Sequence, residues 1–295
     1  MFFQCGREFE GGGKGVGTRS RPCEHRIVFV SNKEGGNHLY SMKDDGSDVQ
    51  RLTSELSGCP QCGDWQPRWS PAGDKIVFSS YRDGSGYLNI FVMNTDGTGL
   101  TQLTFGSGIK SDPDFSCDGK KIVYTFGNHI WLMDADGQSQ PKQLTTPQDT
   151  PYGAGGARWS PDCTKIAYLA GPGCSHPSSY SSLWFMDPDG SNKRPVLCGG
   201  KPLKICYIPI AWSCDGKTIL FFKYQKGQDN NYQDIISMVN TQDCAEPIIV
   251  VSPGSVSAAD PSWYPNCEKI AFRCGFGDGT HKICTTSVNG TDLKI

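Results

Sequence analysis

The sequence predicts an all-β fold: a six-bladed β-propeller of four-stranded antiparallel blades, braced by disulfides. Three observations predict it. The first is the stretch from Gln66 to Thr104, which reads as four short strands, QPRWS, KIVFSS, NIFVMN and LTQLT. Each is rich in β-branched and aromatic residues, and each break between them carries Gly, Pro, Asn or Asp, the pattern of a hairpin meander. The second is that the stretch recurs at intervals of roughly 45–50 residues. One four-stranded sheet has two faces to bury, and stacking six in a ring buries both. The third is the count of fourteen cysteines, which suits an oxidising compartment.

The copies can be followed along the chain. A basic residue opens the second strand at Arg26, Lys75, Lys121, Lys165 and Lys269, with Thr218 in the remaining copy. The first-strand aromatic recurs as Trp69, Phe115, Trp159, Trp212 and Trp263. Third strands begin at His38, Asn89, His129, Ser182, Asp234 and His281. Residues 1–16 stand outside the pattern and read as an N-terminal arm with a Gly-rich linker, leaving 17–295 for the propeller. Blade one opens on Thr18–His25, which lacks the aromatic; the ring then closes by blade packing or by the arm adding to blade six. Inserts at 171–181, 197–207 and 225–233 gather on one face of the disc, where loops on a rigid scaffold bind.

Trp159-Ser160-Pro161-Asp162-Cys163-Thr164-Lys165-Ile166-Ala167-Tyr168 and Leu183-Trp184-Phe185-Met186-Asp187-Pro188-Asp189-Gly190 resemble the repeat of the TolB-like six-bladed propellers, also called the PD40 or WD40-like repeat. The resemblance runs from about Gly17 to Ile295. It implies the fold strongly and the function weakly, because that family includes periplasmic interaction proteins, peptidase gating domains and polysaccharide lyases.

Composition excludes several classes. Net charge is −2 with 20% charged residues, so no basic face for nucleic acid is expected. No run reaches the roughly 18 apolar residues of a membrane helix, so no membrane insertion is expected. The opening Met1–Gly6 lacks the apolar core of a signal peptide. Gly13-Lys14 runs into Gly15 where a phosphate loop needs Ser or Thr. Cys59-Pro60-Gln61-Cys62 has no second pair to complete four zinc ligands.

Cysteines sort by face in a meander. Cys23, Cys117, Cys163, Cys214, Cys244 and Cys267 fall at first-to-second or third-to-fourth turns, and Cys59, Cys62, Cys174, Cys198, Cys206, Cys274 and Cys284 near the other face. Bridges need Cα atoms within about 7 Å and should not cross the disc. Cys274 with Cys284 is a cross-strand candidate, Cys117 with Cys163 an inter-blade one, and Cys174 with Cys198 or Cys206 a staple for the blade-four inserts. Cys5 is free to pair within the chain or with another chain.

Chemistry is sparse. No Gly-x-Ser-x-Gly elbow is present. The third-strand histidines diverge from the axis and are read as bonding turns. The Asp-x-Asp-Gly turns lack the rest of a calcium loop, which leaves weak surface calcium as the one ion considered and no cofactor expected. Near the axis, Arg19, Arg68, Asp114 and Arg158 precede the first-strand aromatic position. Those arginines either receive an acidic ligand or pair with Asp64, Asp112 and Asp260, and pairing is favoured. Asn289-Gly290-Thr291 is a glycosylation sequon.

The function expected is therefore a non-catalytic extracellular binding or assembly module, or a structural subunit of an extracellular polymer. Its partner is a protein or its own copies, with a glycan as a further candidate. Phe2, Phe3 and Cys5 would contact a neighbour by strand addition. The competing class is a carbohydrate-active enzyme, such as a TolB-like polysaccharide lyase working through Arg68 and Arg158.

Overall fold

The computed structural model describes residues 2–4, 26–54, 63–172, 180–205, 207–226, 232–242, 244, 248–251, 257–276 and 279–295. They form six antiparallel sheets arranged as the blades of a propeller, and one separate two-stranded hairpin. The first strands of neighbouring blades touch one another right round the ring, which makes them the inner wall of an axial channel.

Second and third strands sit in mid-blade with a neighbouring blade on each face. Lys75–Ser80 and Asn89–Asn94 are accordingly buried along five consecutive residues, and they read as continuous apolar runs because both sheet faces are covered. Packing runs blade to blade. Phe78, Phe91 and Met93 of blade two join Val28 and Leu39 of blade one, and Leu183 and Phe185 of blade four join Ile219 and Phe221 of blade five. Among the described residues the junction of blades six and one has the smallest core, Ile27, Met42, Tyr264 and Ala271.

The turn between first and second strands also locks the blades together. Its fourth residue has a left-handed backbone: Gly73 (φ 71°), Gly119 (70°), Cys163 (58°), Gly216 (69°) and Cys267 (57°). Its second residue lies against the fourth residue of the next blade's turn. Pro71 lies beside Gly119 and Pro161 beside Gly216, while Cys117 bonds Cys163 and Cys214 bonds Cys267. One steric slot is thus filled by Pro and Gly or by two bonded cysteines.

Three sequence expectations are corrected. Blade one does not take its inner strand from Thr18–His25. Phe2–Gln4 pairs antiparallel with Arg26–Val28, and Phe3 opposes Ile27 just as Trp69 opposes Ile76. The arm supplies blade one's inner strand within its own chain rather than extending blade six. Cys198 bonds Cys244 rather than Cys174 or Cys206, and this bond joins cysteines assigned to opposite faces. A hairpin, Leu197–Cys198 with Lys201–Pro202, follows blade four's outer strand and brings Cys198 to Cys244. Val196 there occupies the outer-strand position of Leu144, and Cys244 stands where other blades place a turn glycine against that position. The 225–233 insert is in part ladder, with Gln225 opposite Gln233 and Lys226 opposite Tyr232.

Cys274 bonds Cys284 across one hairpin as expected. Together the bonds tie blades three, four, five and six into one covalent arc. Cys5, Cys23, Cys59, Cys62, Cys174, Cys206 and Arg19 lie outside the described residues.

Candidate functional site

The axial channel is shaped by a bulge repeated in the first strands. Ladder register breaks between Trp65 and Arg68, between Gly155 and Arg158, and between Ala259 and Ser262, and opposite Val123 and Thr125 in blade three. At the break Gln66, Asp112, Gly156 and Asp260 take positive φ of 53°, 55°, 64° and 55°. A bulge re-aims a side chain, and Gln66, Asp112 and Asp260 line a cavity of about 830 Å³ at the channel mouth. Trp65, Pro67, Phe29, Met42 and Ile283 give it apolar walls, and Arg158, Arg273, His281 and Lys282 give it cationic groups. Arg158 also lines a smaller cavity of about 210 Å³ walled by Trp69, Trp159, Trp212 and Trp263.

The charges in the channel are matched. Arg158 Nη1 donates to the backbone oxygens of Asp112 (3.2 Å) and Ala157 (2.7 Å), and Nη2 lies 4.0 Å from Asp112 Oδ1. Arg68 Nε lies 3.9 Å from Asp114 Oδ1, while Asp114 Oδ2 accepts the Trp159 backbone N–H at 2.9 Å. Gln66 Nε2 donates to Asp112 Oδ1 at 2.7 Å, and Gln66 Oε1 accepts from the Asp112 backbone N–H at 2.9 Å. Burial raises the Asp112 and Asp114 carboxyls above the usual carboxylate range, with Arg158 and Arg68 opposing the rise. Burial, with Arg158 close by, pushes the Arg68 guanidinium well down.

The expected pairing is half right. Asp112 does meet Arg158. Asp64, however, is held bidentate by Arg82 at 2.7 and 2.8 Å, and Asp260 by Arg273 at 2.9 Å, so Arg68 takes Asp114 instead. Gln66, Arg273, His281 and Lys282 were not among the sequence candidates. The Gln-Pro and Asp-Pro dipeptides at 66–67, 112–113 and 260–261 are the signal that could have found the bulge ring. His281 and Lys282 line the cavity from the start of blade six's third strand, His281–Ser287. His38 bonds its turn, Nε2 to Gly35 O at 2.9 Å.

The Asp-Gly turn carboxylates cap their own turns. Asp96 accepts from Thr98 N and Oγ1, and Asp189 from Ser191 N. Among the described residues no three His, Cys, Asp or Glu side chains are grouped to hold a metal. Asn289 sits on an exposed turn, where its Oδ1 accepts from Thr291 Oγ1 at 2.8 Å.

Residues 60–173 match the family model described as the TolB beta propeller domain. That stretch resembles the TolB propeller domain. A TolB homolog of Chlorobium chlorochromatii is 42% identical over 149 residues, 49% of this chain and 31% of that protein. The solved structure of TolB from Acinetobacter baumannii superposes with a TM-score of 0.71 at 20% identity, covering 90% of this chain and 61% of that one. An oligogalacturonate lyase from Vibrio parahaemolyticus superposes with a TM-score of 0.58 at 11% identity, covering 90% and 86%. Likenesses at such identities establish the fold alone. The chain spans 40% or less of the length of the curated relatives it matches. The four bonded cysteine pairs among the described residues fit an oxidising compartment.

Proposed function

We propose that this TolB-like propeller is a non-catalytic extracellular binding module that docks a protein partner on the face where the axial cavity opens. One observation carries the reading: exposed aromatic and aliphatic side chains stand at strand starts on that face, two of them on a braced loop. Phe105 and Ile109 are exposed in the loop entering blade three, as are Tyr87 and Tyr152 at other strand starts and Trp65, which also lines the cavity. Lys110 Nζ donates to the backbone oxygens of Phe105, Gly106 and Ser107 at 3.1, 2.8 and 2.9 Å. A buried ammonium thus fixes the loop that presents the apolar tips, and preorganised aromatic anchors are the residues that dominate protein interfaces.

The lyase reading draws on the same cavity, where Asp112, Arg158, Arg273, His281 and Lys282 could hold a uronate. Two measurements separate the readings. Photo-cross-linking groups at positions 105 and 152 should capture a discrete protein in native extract, and the same group at Lys217, near the opposite face, should not. Equal capture from both faces would refute the docking reading. Incubation with oligogalacturonate, followed by ultraviolet absorbance of the unsaturated product, should show no turnover; turnover lost in Arg158→Ala would establish the lyase.

A further inference from the structure

Among blades one to five the outer edges differ in one place. Register fixes which residues correspond: Gln50 opposes Ser41, Thr101 opposes Val92, Lys142 opposes Leu132, Arg194 opposes Phe185, and Ile248 opposes Met238. At this position and the next, blades one to four hold Gln50-Arg51, Thr101-Gln102, Lys142-Gln143 and Arg194-Pro195. Blade five holds Ile248-Ile249, exposed to 61% and 42%.

Polarity at this edge has a purpose. An outer strand offers unpaired backbone groups to any other chain, and short polar or charged edges blunt that hazard. The second residue of the pair also caps its own edge. Arg51 Nε donates to Thr53 O at 2.8 Å, Gln102 Nε2 to Thr104 O at 2.8 Å, and Gln143 Nε2 to Thr145 O at 2.7 Å. Ile249 carries no donor and leaves its edge uncapped by that route. Blade five's outer strand, Ile248–Val251, is four residues long, against two in blades one to four.

We propose that the outer edge of blade five pairs antiparallel with the same edge of a second copy of this chain, about a twofold axis. Charge selects this occupant. In a homotypic pairing, the edges of blades one, three and four would bring Arg51, Lys142 or Arg194 against its own copy, and like charges facing across strands are destabilising. Ile248 and Ile249 bring only apolar surface, and the twofold pairing requires nothing beyond the edge itself. The contact is small beside the roughly 800 Å² per partner of a standard interface, so the dimer is weak, with a Kd on the order of 10–100 µM. This inference does not depend on the docking reading of the mouth face.

Sedimentation velocity from about 1 to 200 µM, spanning that Kd, tests it. The wild-type chain should pass from monomer to dimer. Ile248→Lys with Ile249→Lys should stay monomeric throughout, and so should Ile248→Glu with Ile249→Glu. An equimolar mixture of the Lys and Glu variants should recover the dimer, a readout that misfolding could not give. Thr101→Lys with Gln102→Lys on blade two should dimerise like wild type. A wild-type chain monomeric over the whole range, a dimer that survives the Lys pair, or a mixture that stays monomeric would overturn the proposal.

Discussion

Replacing Cys117 by Pro and Cys163 by Gly converts one covalent staple into the Pro–Gly contact found at the Pro71–Gly119 and Pro161–Gly216 junctions. The bond spans 46 residues of sequence, and closing a loop of that size in the unfolded chain is worth about 4 kcal/mol in the chain-entropy account. Cys163 holds φ at 58°, a left-handed conformation that costs an L-residue about 1 kcal/mol and that glycine adopts freely. The exchange should therefore cost about 3 kcal/mol, the lost closure less the relieved backbone. Cys117→Ala with Cys163→Ala loses the bond and keeps the backbone cost, about 4 kcal/mol in all. Proline at 117 adds a preset φ worth a few tenths of a kcal/mol or more. Urea midpoints without reductant should rank wild type above the Pro–Gly pair, and the Pro–Gly pair above the Ala pair. An Ala pair as stable as the Pro–Gly pair would refute the idea that the two chemistries fill one slot.

Two further expectations concern charge. Arg82→Ala strands the fully buried Asp64 carboxylate and should cost about 3–5 kcal/mol in urea unfolding; a loss below about 1 kcal/mol would show that the pair is not desolvated in solution. For pH, the signs differ by site. Asp45, Asp96 and Asp189 are held below the usual carboxylate range by hydrogen bonds from Ser47, Thr98 and Ser191, so their contribution is present above the unfolded value and lost as pH falls through their depressed values. Asp112 and Asp114 are raised by burial, so they favour the folded state when protonated, and stability falls as pH climbs through their raised values. Urea midpoints should hold level or rise from pH 7 toward about pH 4 and collapse below it; a steady decline starting well above that value would contradict these assignments.

Several misreadings share a cause. Thr18–His25 precedes Arg26 at the repeat's spacing, yet the register position of Trp69 goes to Phe3. Strand pairing is settled by which segment completes the ladder, and proximity along the chain is only a guide. Loop counting places Cys198 on one face, but the hairpin after blade four's outer strand brings it to Cys244. Chain position pairs the channel arginines with Asp64, Asp112 and Asp260, but Arg82, in the turn after Lys75–Ser80, takes Asp64 and Arg273 takes Asp260. The Cys117–Cys163 and Cys274–Cys284 pairs were legible because turns and hairpins fix their geometry locally.

By itself the sequence determined the ring. Each copy carries its own turns and its own apolar runs, and repeated sheets with two apolar faces have few ways to bury them except against one another. Only the tertiary structure decided which charges meet in the channel and what fills each inter-blade slot. It also revealed that Ile248 stands where four other blades place Gln50, Thr101, Lys142 and Arg194. Those facts depend on residues roughly one repeat apart in sequence, brought together by the closed ring rather than by any local preference.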